Sequence, residues 1–530
     1  MKKKFYITTP IYYPSAKLHI GHAYCTTLTD VFARSKRERG FECYFLTGAD
    51  EHGLKIQKNA EAAGVTPQQF VDNIVEGFYK LWDLLKITND DFIRTTQDRH
   101  IKVVQDAFSK MLAQGDIYLG EYEGWYCRYC EAFWTDTQVG ENHICPDCER
   151  EVQKAKEEAY FFKTNKYLDS LLKFYDDNPN FLTPISRKNE MVNTFIKPGL
   201  EDLCVSRTSF SWGIPVRENP KHVVYVWLDA LTNYITALGY DSDHPELFEK
   251  FWKDEECEII HILGADITRF HSIYWPMFLM GLGVRCPDRE FVHGLLMMKD
   301  SKMSKSKGNV VDPFMLVERY GVDALRYYLA REVNFGSDGN FTPEQFVERI
   351  NTDLANALGN LLNRTVSMVN KYFDGVVPEY KGRVNDVDGN LEDLTKLTID
   401  SYERLMDDLK ITDAIAQVNE LVARANKYID ETEPWNLAKD PEKKANLASV
   451  MLHLTNSIYV AGMLLKPVLV NASDKLFEQL GITGDLLNYE NIYKYGVTGG
   501  LKVEKKEQLF PRLDAAVEVP YIQDMMNGNK

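Results

Sequence analysis

The chain has 530 residues, of which 44 % are apolar, 26 % charged and 12 % aromatic. At roughly 150 residues per domain this leaves room for three to four domains and excludes a peptide, a disulfide-stapled miniprotein and a disordered chain. Lys and Arg number 62 against 78 Asp and Glu, a formal charge of −16 that repels phosphate at long range and, taken alone, argues against a nucleic-acid partner.

In chain order, Met1-Lys2-Lys3-Lys4 imitates the start of a signal peptide, but Thr8, Thr9, Pro10 and Pro14 interrupt what should be an apolar run. Lys4 to Thr9 reads instead as a first strand. Short β-rich runs (Phe5 to Thr8, Glu42 to Leu46) then alternate with helical patterns (His22 to Arg39, Pro67 to Leu85, Asp98 to Gln114), the signature of βαβ units and a parallel sheet. From about Gly115 to Lys221 the pattern turns to cysteines, aromatics and scattered prolines, as in a domain inserted into another. Strand and helix signals return at Tyr225 to Leu238, Ile259 to Leu263, Thr268 to Leu282 and Glu290 to Gly294. After Phe341 the stretches Pro343 to Tyr372, Leu394 to Leu409, Ile411 to Ile429 and Pro441 to Leu465 carry helical periodicity and almost no strand signal, which predicts an α-helical bundle. No run approaches the roughly 18 unbroken apolar residues of a membrane helix, so no membrane association is expected.

The nine cysteines are too few for a disulfide framework, and four fall in Cys-x-x-Cys pairs, which suits a reducing compartment, the cytoplasm. Those four, Cys127, Cys130, Cys145 and Cys148, have the spacing of a closed tetrahedral Zn²⁺ shell. A closed shell leaves no open position for a reacting water, so one structural zinc is expected. His143 is surplus to it. Cys25, Cys43, Cys204, Cys257 and Cys286 show no site pattern and are expected to pack as small apolar side chains.

Two further motifs carry chemistry. His19-Ile20-Gly21-His22 opens a helix just after the first strand, where free N–H groups and the helix dipole attract anions. Two imidazoles three residues apart could grip a polyphosphate there, and Gly21 would let a flat ring approach the backbone. Lys302-Met303-Ser304-Lys305-Ser306 lies in a stretch with four lysines in nine residues, a local positive patch suited to developing phosphate charge. Alone, each motif is also compatible with ordinary surface residues.

Together the two motifs resemble the paired signatures of class I aminoacyl-tRNA synthetases. Thr8-Thr9-Pro10-Ile11-Tyr12-Tyr13-Pro14, Thr47-Gly48-Ala49-Asp50-Glu51-His52-Gly53 and Tyr225-Val226-Trp227-Leu228-Asp229-Ala230 make the resemblance specific to the methionyl-tRNA synthetase family, in its bacterial form with one zinc knuckle. It implies a doubly wound, Rossmann-like α/β catalytic domain split by a zinc-binding connective insertion, followed by an α-helical bundle that binds the anticodon. The implied divisions are 1–114 and 223–298 for the catalytic halves, 115–222 for the insertion, 299–345 for the lysine loop and stem-contact region, 346–515 for the bundle and 516–530 for a tail.

The resemblance also implies roles. His19, Gly21 and His22, with Gly264 and Asp266, would bind ATP with its Mg²⁺; Lys302 and Lys305 would stabilise the transition state at the α-phosphate. Asp50 would pair with the ammonium of L-methionine. Ile11, Tyr13, Trp227, Ala230, Leu231, Tyr234, Ile267, His271 and Trp275 would wall its thioether, and Asn360, Arg364 and Trp435 would read the anticodon of tRNA(Met). The alternatives are another class I synthetase, against which the insertion is too short for an editing domain, or a nucleotidyltransferase acting without tRNA. With tRNA as partner, the acidic balance predicts selective, salt-sensitive binding. The chain ends soon after the helical region, without a further tRNA-binding domain, so a monomer is expected.

Overall fold

The computed structural model describes residues 3–14, 18–129, 132–134, 136–146, 148–297, 311–332 and 336–526. The chain divides into two compact units, residues 1–18, 41–82 and 88–293 forming the first and residues 19–40, 83–87 and 294–530 the second.

In the first unit the strands are β1 (Lys4–Tyr12), β2 (Glu42–Ala49), β3 (Asp91–Arg94), β4 (Ile117–Cys127), β5 (Ala132–Trp134), β6 (Gln153–Phe162), β7 (Leu182–Thr183), β8 (Leu203–Cys204), β9 (Ser206–Arg207), β10 (Val223–Val224), β11 (Cys257–Gly264) and β12 (Arg289–His293). The main sheet has the order β3-β2-β1-β11-β12-β7 and is parallel throughout. The chain runs outward from β1 through β2 to β3, then returns to the other side of β1 at β11. The order therefore reverses between β1 and β11, and in such sheets the crevice at the carboxyl ends of the two diverging strands takes the ligand. Their sequences, Phe5-Tyr6-Ile7 and Ile259 to Leu263, are apolar because both faces of a parallel sheet are covered.

Between β3 and β11 in sequence lies an antiparallel sheet of order β5-β4-β6-β8, within the stretch that carries the paired cysteines and for which the sequence announced no strands. One short piece of the stretch assigned to that insertion, β7, instead pairs with β12 at the edge of the main sheet. Of the cysteines outside the pairs, Cys25, Cys204 and Cys257 are buried as expected, whereas Cys43 and Cys286 are only half-buried.

The second unit is almost wholly helical. The helix Ile20–Glu38 is joined by Pro313–Tyr320, Val322–Arg331, the continuous helical run Pro343–Phe373, and then Asp388–Asp407, Ile411–Thr432, Lys444–Leu465, Ala472–Leu480 and Ala515–Met526. Arg326, fully buried, donates to Asp30 at 2.7 Å and to the carbonyls of Leu85, Pro467 and Val468, so a guanidinium closes the join between segments distant in sequence. The segment Pro441–Leu465 is long and apolar enough to cross a membrane, but 94 % of its apolar window is buried inside the protein, as in the central helix of a bundle.

Candidate active site

The expected amino-acid residues sit at the carboxyl edge of the main sheet. Ile11 lies near the end of β1 and Tyr13 just beyond it; Asp50 follows β2, its N–H bonded to the Tyr12 carbonyl at 3.0 Å. Gly264 ends β11 and Asp266, exposed, stands in the turn after it. A β-carbon on Gly264 would fall 2.7 Å from an Asp266 carboxylate oxygen, so glycine is what allows Asp266 to fold over the strand end.

The two helical stripes of the sequence meet in one polar–aromatic cluster. Trp227, half-buried, stacks face to face on Phe270 with ring centroids 3.6 Å apart. His271 Nδ1 lies 3.1 Å from the Ile267 carbonyl, which only accepts, so that nitrogen carries the proton and Nε2 accepts from the Tyr234 hydroxyl at 2.8 Å. Burial pushes His271 down to about 4, so it is neutral near pH 7. The Tyr234 ring stacks on His261 at 4.1 Å. The Trp275 indole N–H donates to His261 Nε2 at 3.3 Å, which leaves His261 Nδ1 as donor to Thr8 Oγ1 at 2.9 Å. Burial, reinforced by His271, holds His261 well below its ordinary value. Ala230, Leu231, Tyr234 and Trp275 are buried, and the last three belong to the main core of this unit, so the wall of the site is also the core of the fold.

Phe270, His261 and Thr8 were not singled out by sequence. His261 had a signal: a histidine in the apolar run of a central strand needs a buried partner.

In the second unit, His19 caps the helix Ile20–Glu38. Its Nδ1 accepts from the Gly21 N–H at 3.1 Å, while His22 Nδ1 accepts from the His19 N–H at 3.2 Å. The two rings are 4.2 Å apart, and a β-carbon on Gly21 would lie 2.9 Å from the His19 ring. The flat ring admitted by Gly21 is thus, here, the neighbouring imidazole. Burial, then the charge of His19, pushes His22 down to about 3, so it is a neutral hydrogen-bonding group rather than a cation. Lys302 and Lys305 lie outside the described residues. The chain re-enters at Val311, whose carbonyl accepts from the Ile20 N–H at 3.2 Å, and Leu296–Met297, before the lysine stretch, packs on the same helix. Both flanks of the lysine stretch are therefore held against the histidine helix.

Cys127, Cys145 and Cys148 place their sulfurs within 4.8 Å of one another, Cys127 and Cys145 buried and Cys148 half-buried. Cys130 lies outside the described residues. The Cys127 and Cys148 sulfurs are 3.5 Å apart, beyond the ~2.05 Å of a disulfide and close to the edge, about 3.8 Å, of a tetrahedron with metal–sulfur bonds of about 2.3 Å. The cluster could hold a metal ion. His143 stacks on Trp125 at 3.8 Å and takes no part in it.

On the helical bundle, Asn360 is exposed where the run Pro343–Phe373 tightens after a wider π-helical stretch, Ile350–Gly359, a local irregularity common at functional positions. Arg364, one turn on, pairs with Asp430 at 3.2 Å. Asp430 lies near the end of Ile411–Thr432, and the short helix Pro434–Leu437 that follows holds Trp435, 42 % exposed.

A parallel α/β sheet whose strand order reverses between β1 and β11, followed in sequence by a helical bundle, is the arrangement of class I tRNA synthetases. The family model described as "tRNA synthetases class I (M)" matches residues 5–157 and 151–366, and that described as "Anticodon binding domain of methionyl tRNA ligase" matches residues 377–518. The methionine–tRNA ligases of Halalkalibacterium halodurans and Bacillus subtilis are 54 % and 55 % identical to the chain, covering 100 % and 99 % of it and 81 % and 80 % of their own lengths. The methionyl-tRNA synthetase of Mycobacterium tuberculosis, solved in complex with methionyl-adenylate, superposes with a TM-score of 0.91 at 39 % identity, over 97 % of this chain and 100 % of that one. The chain belongs to the methionine–tRNA ligase family. The inference from net charge against a nucleic-acid partner is thereby corrected: −16 describes the far field, whereas a tRNA is held by local groups.

Proposed function

We propose that the chain activates L-methionine with ATP to methionyl-adenylate and pyrophosphate, then transfers methionine to the 3′-terminal ribose of tRNA(Met) for both initiation and elongation. The observation that carries this reading is the gathering of Asp50, Tyr13, Gly264 and Asp266 at the carboxyl edge of one switch-point sheet, beside an aromatic wall whose histidines are neutral.

Asp50 pairs with the substrate ammonium, and Asp266 takes the ribose. The wall of Ile11, Trp227, Ala230, Leu231, Tyr234, Ile267, His271 and Trp275 receives the thioether, which gains from sulfur–aromatic contact. The Tyr234 hydroxyl and both imidazoles are already hydrogen-bonded, so the wall offers an apolar ligand no unpaired charge to desolvate. The methionine carboxylate is anionic before it attacks, so no general base is required; positioning and charge stabilisation supply the rate. His19 and His22 hold the triphosphate, and Lys302 and Lys305 draw charge from the transition state; Mg²⁺, when bound with ATP, would supply further charge stabilisation there. Asn360 and Arg364 offer amide and guanidinium groups to base edges, and Trp435 a stacking face.

Methionine-dependent exchange of labelled pyrophosphate into ATP, without tRNA, is expected. Exchange supported by leucine or cysteine and not by methionine would overturn the reading. We also assign the cysteine cluster to one structural zinc, completed by Cys130; elemental analysis should find one zinc per chain, and none after gentle purification would contradict it.

A further inference from the structure

Beneath the turn that carries Asp50 lies a buried carboxylate that the reaction above does not use. Asp229 is fully buried in the first turn of the helix Val226–Thr236, where the helix dipole favours a negative charge. Its Oδ2 accepts from His52 Nδ1 at 2.7 Å and its Oδ1 from His100 Nε2 at 2.8 Å. His52 stands two residues after Asp50, and His100 opens the helix Asp98–Ala113 beyond β3. His100 Nδ1 is buried with no hydrogen-bond partner among the described residues, and Nε2 is the ring nitrogen that donates to Asp229. Burial alone would raise Asp229, but the charge of His52 and the hydrogen bonds from both rings outweigh it and hold the carboxyl below its ordinary range.

The turn itself is clamped from other sides. The Trp212 indole donates to the Glu51 carbonyl at 2.6 Å, the Gly53 N–H to the Trp212 carbonyl at 3.0 Å, and Arg94 Nε to the Glu51 carboxylate at 2.6 Å. The His52–Asp229 bond ties this fixed turn to the helix that presents Trp227, Ala230 and Tyr234.

We infer that Asp229 is a positioning residue for methionine: through His52 it sets the Asp50 carboxylate at a fixed distance from the helix that walls the thioether. This rests on the reading of Asp50 as the ammonium partner. A carboxylate accepts at both oxygens, so it can hold two ring N–H groups at once; an amide can accept at only one. In Asp229→Asn one imidazole must either lose its bond or change tautomer to accept from the amide N–H, which loosens the tie between the turn carrying Asp50 and the helix of the pocket.

The test is isothermal titration of Asp229→Asn, His52→Gln and Asp50→Asn with L-methionine and with 4-(methylthio)butanoate, which keeps the thioether and carboxylate but lacks the ammonium. All three variants should bind methionine about tenfold or more weakly while the des-amino analogue changes less than about twofold. Equal weakening of both ligands in Asp229→Asn and His52→Gln, with the selective loss retained in Asp50→Asn, makes Asp229 a fold element and overturns the inference alone. No selective loss in Asp50→Asn removes the ammonium reading and the inference with it. His52→Gln breaks only one of the two bonds and carries the test if Asp229→Asn does not fold; failure of both to fold would make the role structural and overturn the inference.

Discussion

Two tryptophans assigned to binding by the same resemblance have contrasting surroundings. Trp275 is fully buried, its indole N–H spent on His261 and its ring against Tyr234 and Trp252, whereas Trp435 stands 42 % exposed on a short helix at the surface of the bundle. On the reading proposed above, the first belongs to a site for a small apolar side chain, where specificity comes from a wall whose tyrosine hydroxyl and imidazoles are already hydrogen-bonded, so that little polar is left to reward a wrong ligand. On the same proposed reading, the second belongs to a surface for an unpaired base, where an uncovered aromatic face is what binding needs. A buried site costs stability when altered; an exposed one costs recognition alone.

That contrast can be broken most directly through stability. Trp275→Ala should lower unfolding free energy by about 3–5 kcal/mol, as for a large aromatic removed from a packed core, while Trp435→Ala should leave it within about 0.5 kcal/mol. Denaturant titration of both variants checks this; a destabilised Trp435→Ala would mean that its ring supports the bundle.

A smaller effect sharpens the same contrast through pH. His271 is held at about 4 by burial and His22 at about 3 by burial and its neighbour, below the ordinary value near 6.5. Between the folded and unfolded values the unfolded chain binds more protons, so stability is full above about pH 6.5 and falls as pH drops toward 4. Thermal melts from pH 7 to 4.5 should show a falling midpoint, and replacing His271 by Gln should flatten part of the fall. A midpoint that is constant or rises on acidification would contradict neutral buried imidazoles.

Much of the fold was legible because it rests on periodicity. β1 and β11 declare themselves as short apolar, β-branched runs and the helices of the bundle by a period of 3.6, and the cysteine spacing and two signature motifs are local in sequence. What was missed includes two long strands of the insertion, Ile117–Cys127 and Gln153–Phe162, whose charged and aromatic residues hide an alternation, and elements that are short or non-local. β3 is four residues, Asp91–Arg94, and β7 two. Leu54–Ala63 is a helix with as many polar as apolar residues, of which only Ile56 and Ala60 are buried, so little apolar stripe announces it. The His52–Asp229–His100 cluster joins residues 129 and 177 positions apart, so no window could pair them, although His52 and Asp229 both stood inside motifs quoted for other reasons. The histidine pair was legible as a helix opening, but not its use of both imidazoles to cap that opening.

The central claim, that methionine activation and anticodon reading are served by separately built parts of the chain, is tested most directly by measuring both reactions in Trp435→Ala. Methionine-dependent pyrophosphate exchange should be unchanged, while kcat/KM for aminoacylation of tRNA(Met) should fall about ten- to hundredfold, the loss of one stacked base. A parallel loss of both activities, or an unchanged aminoacylation rate, would contradict it.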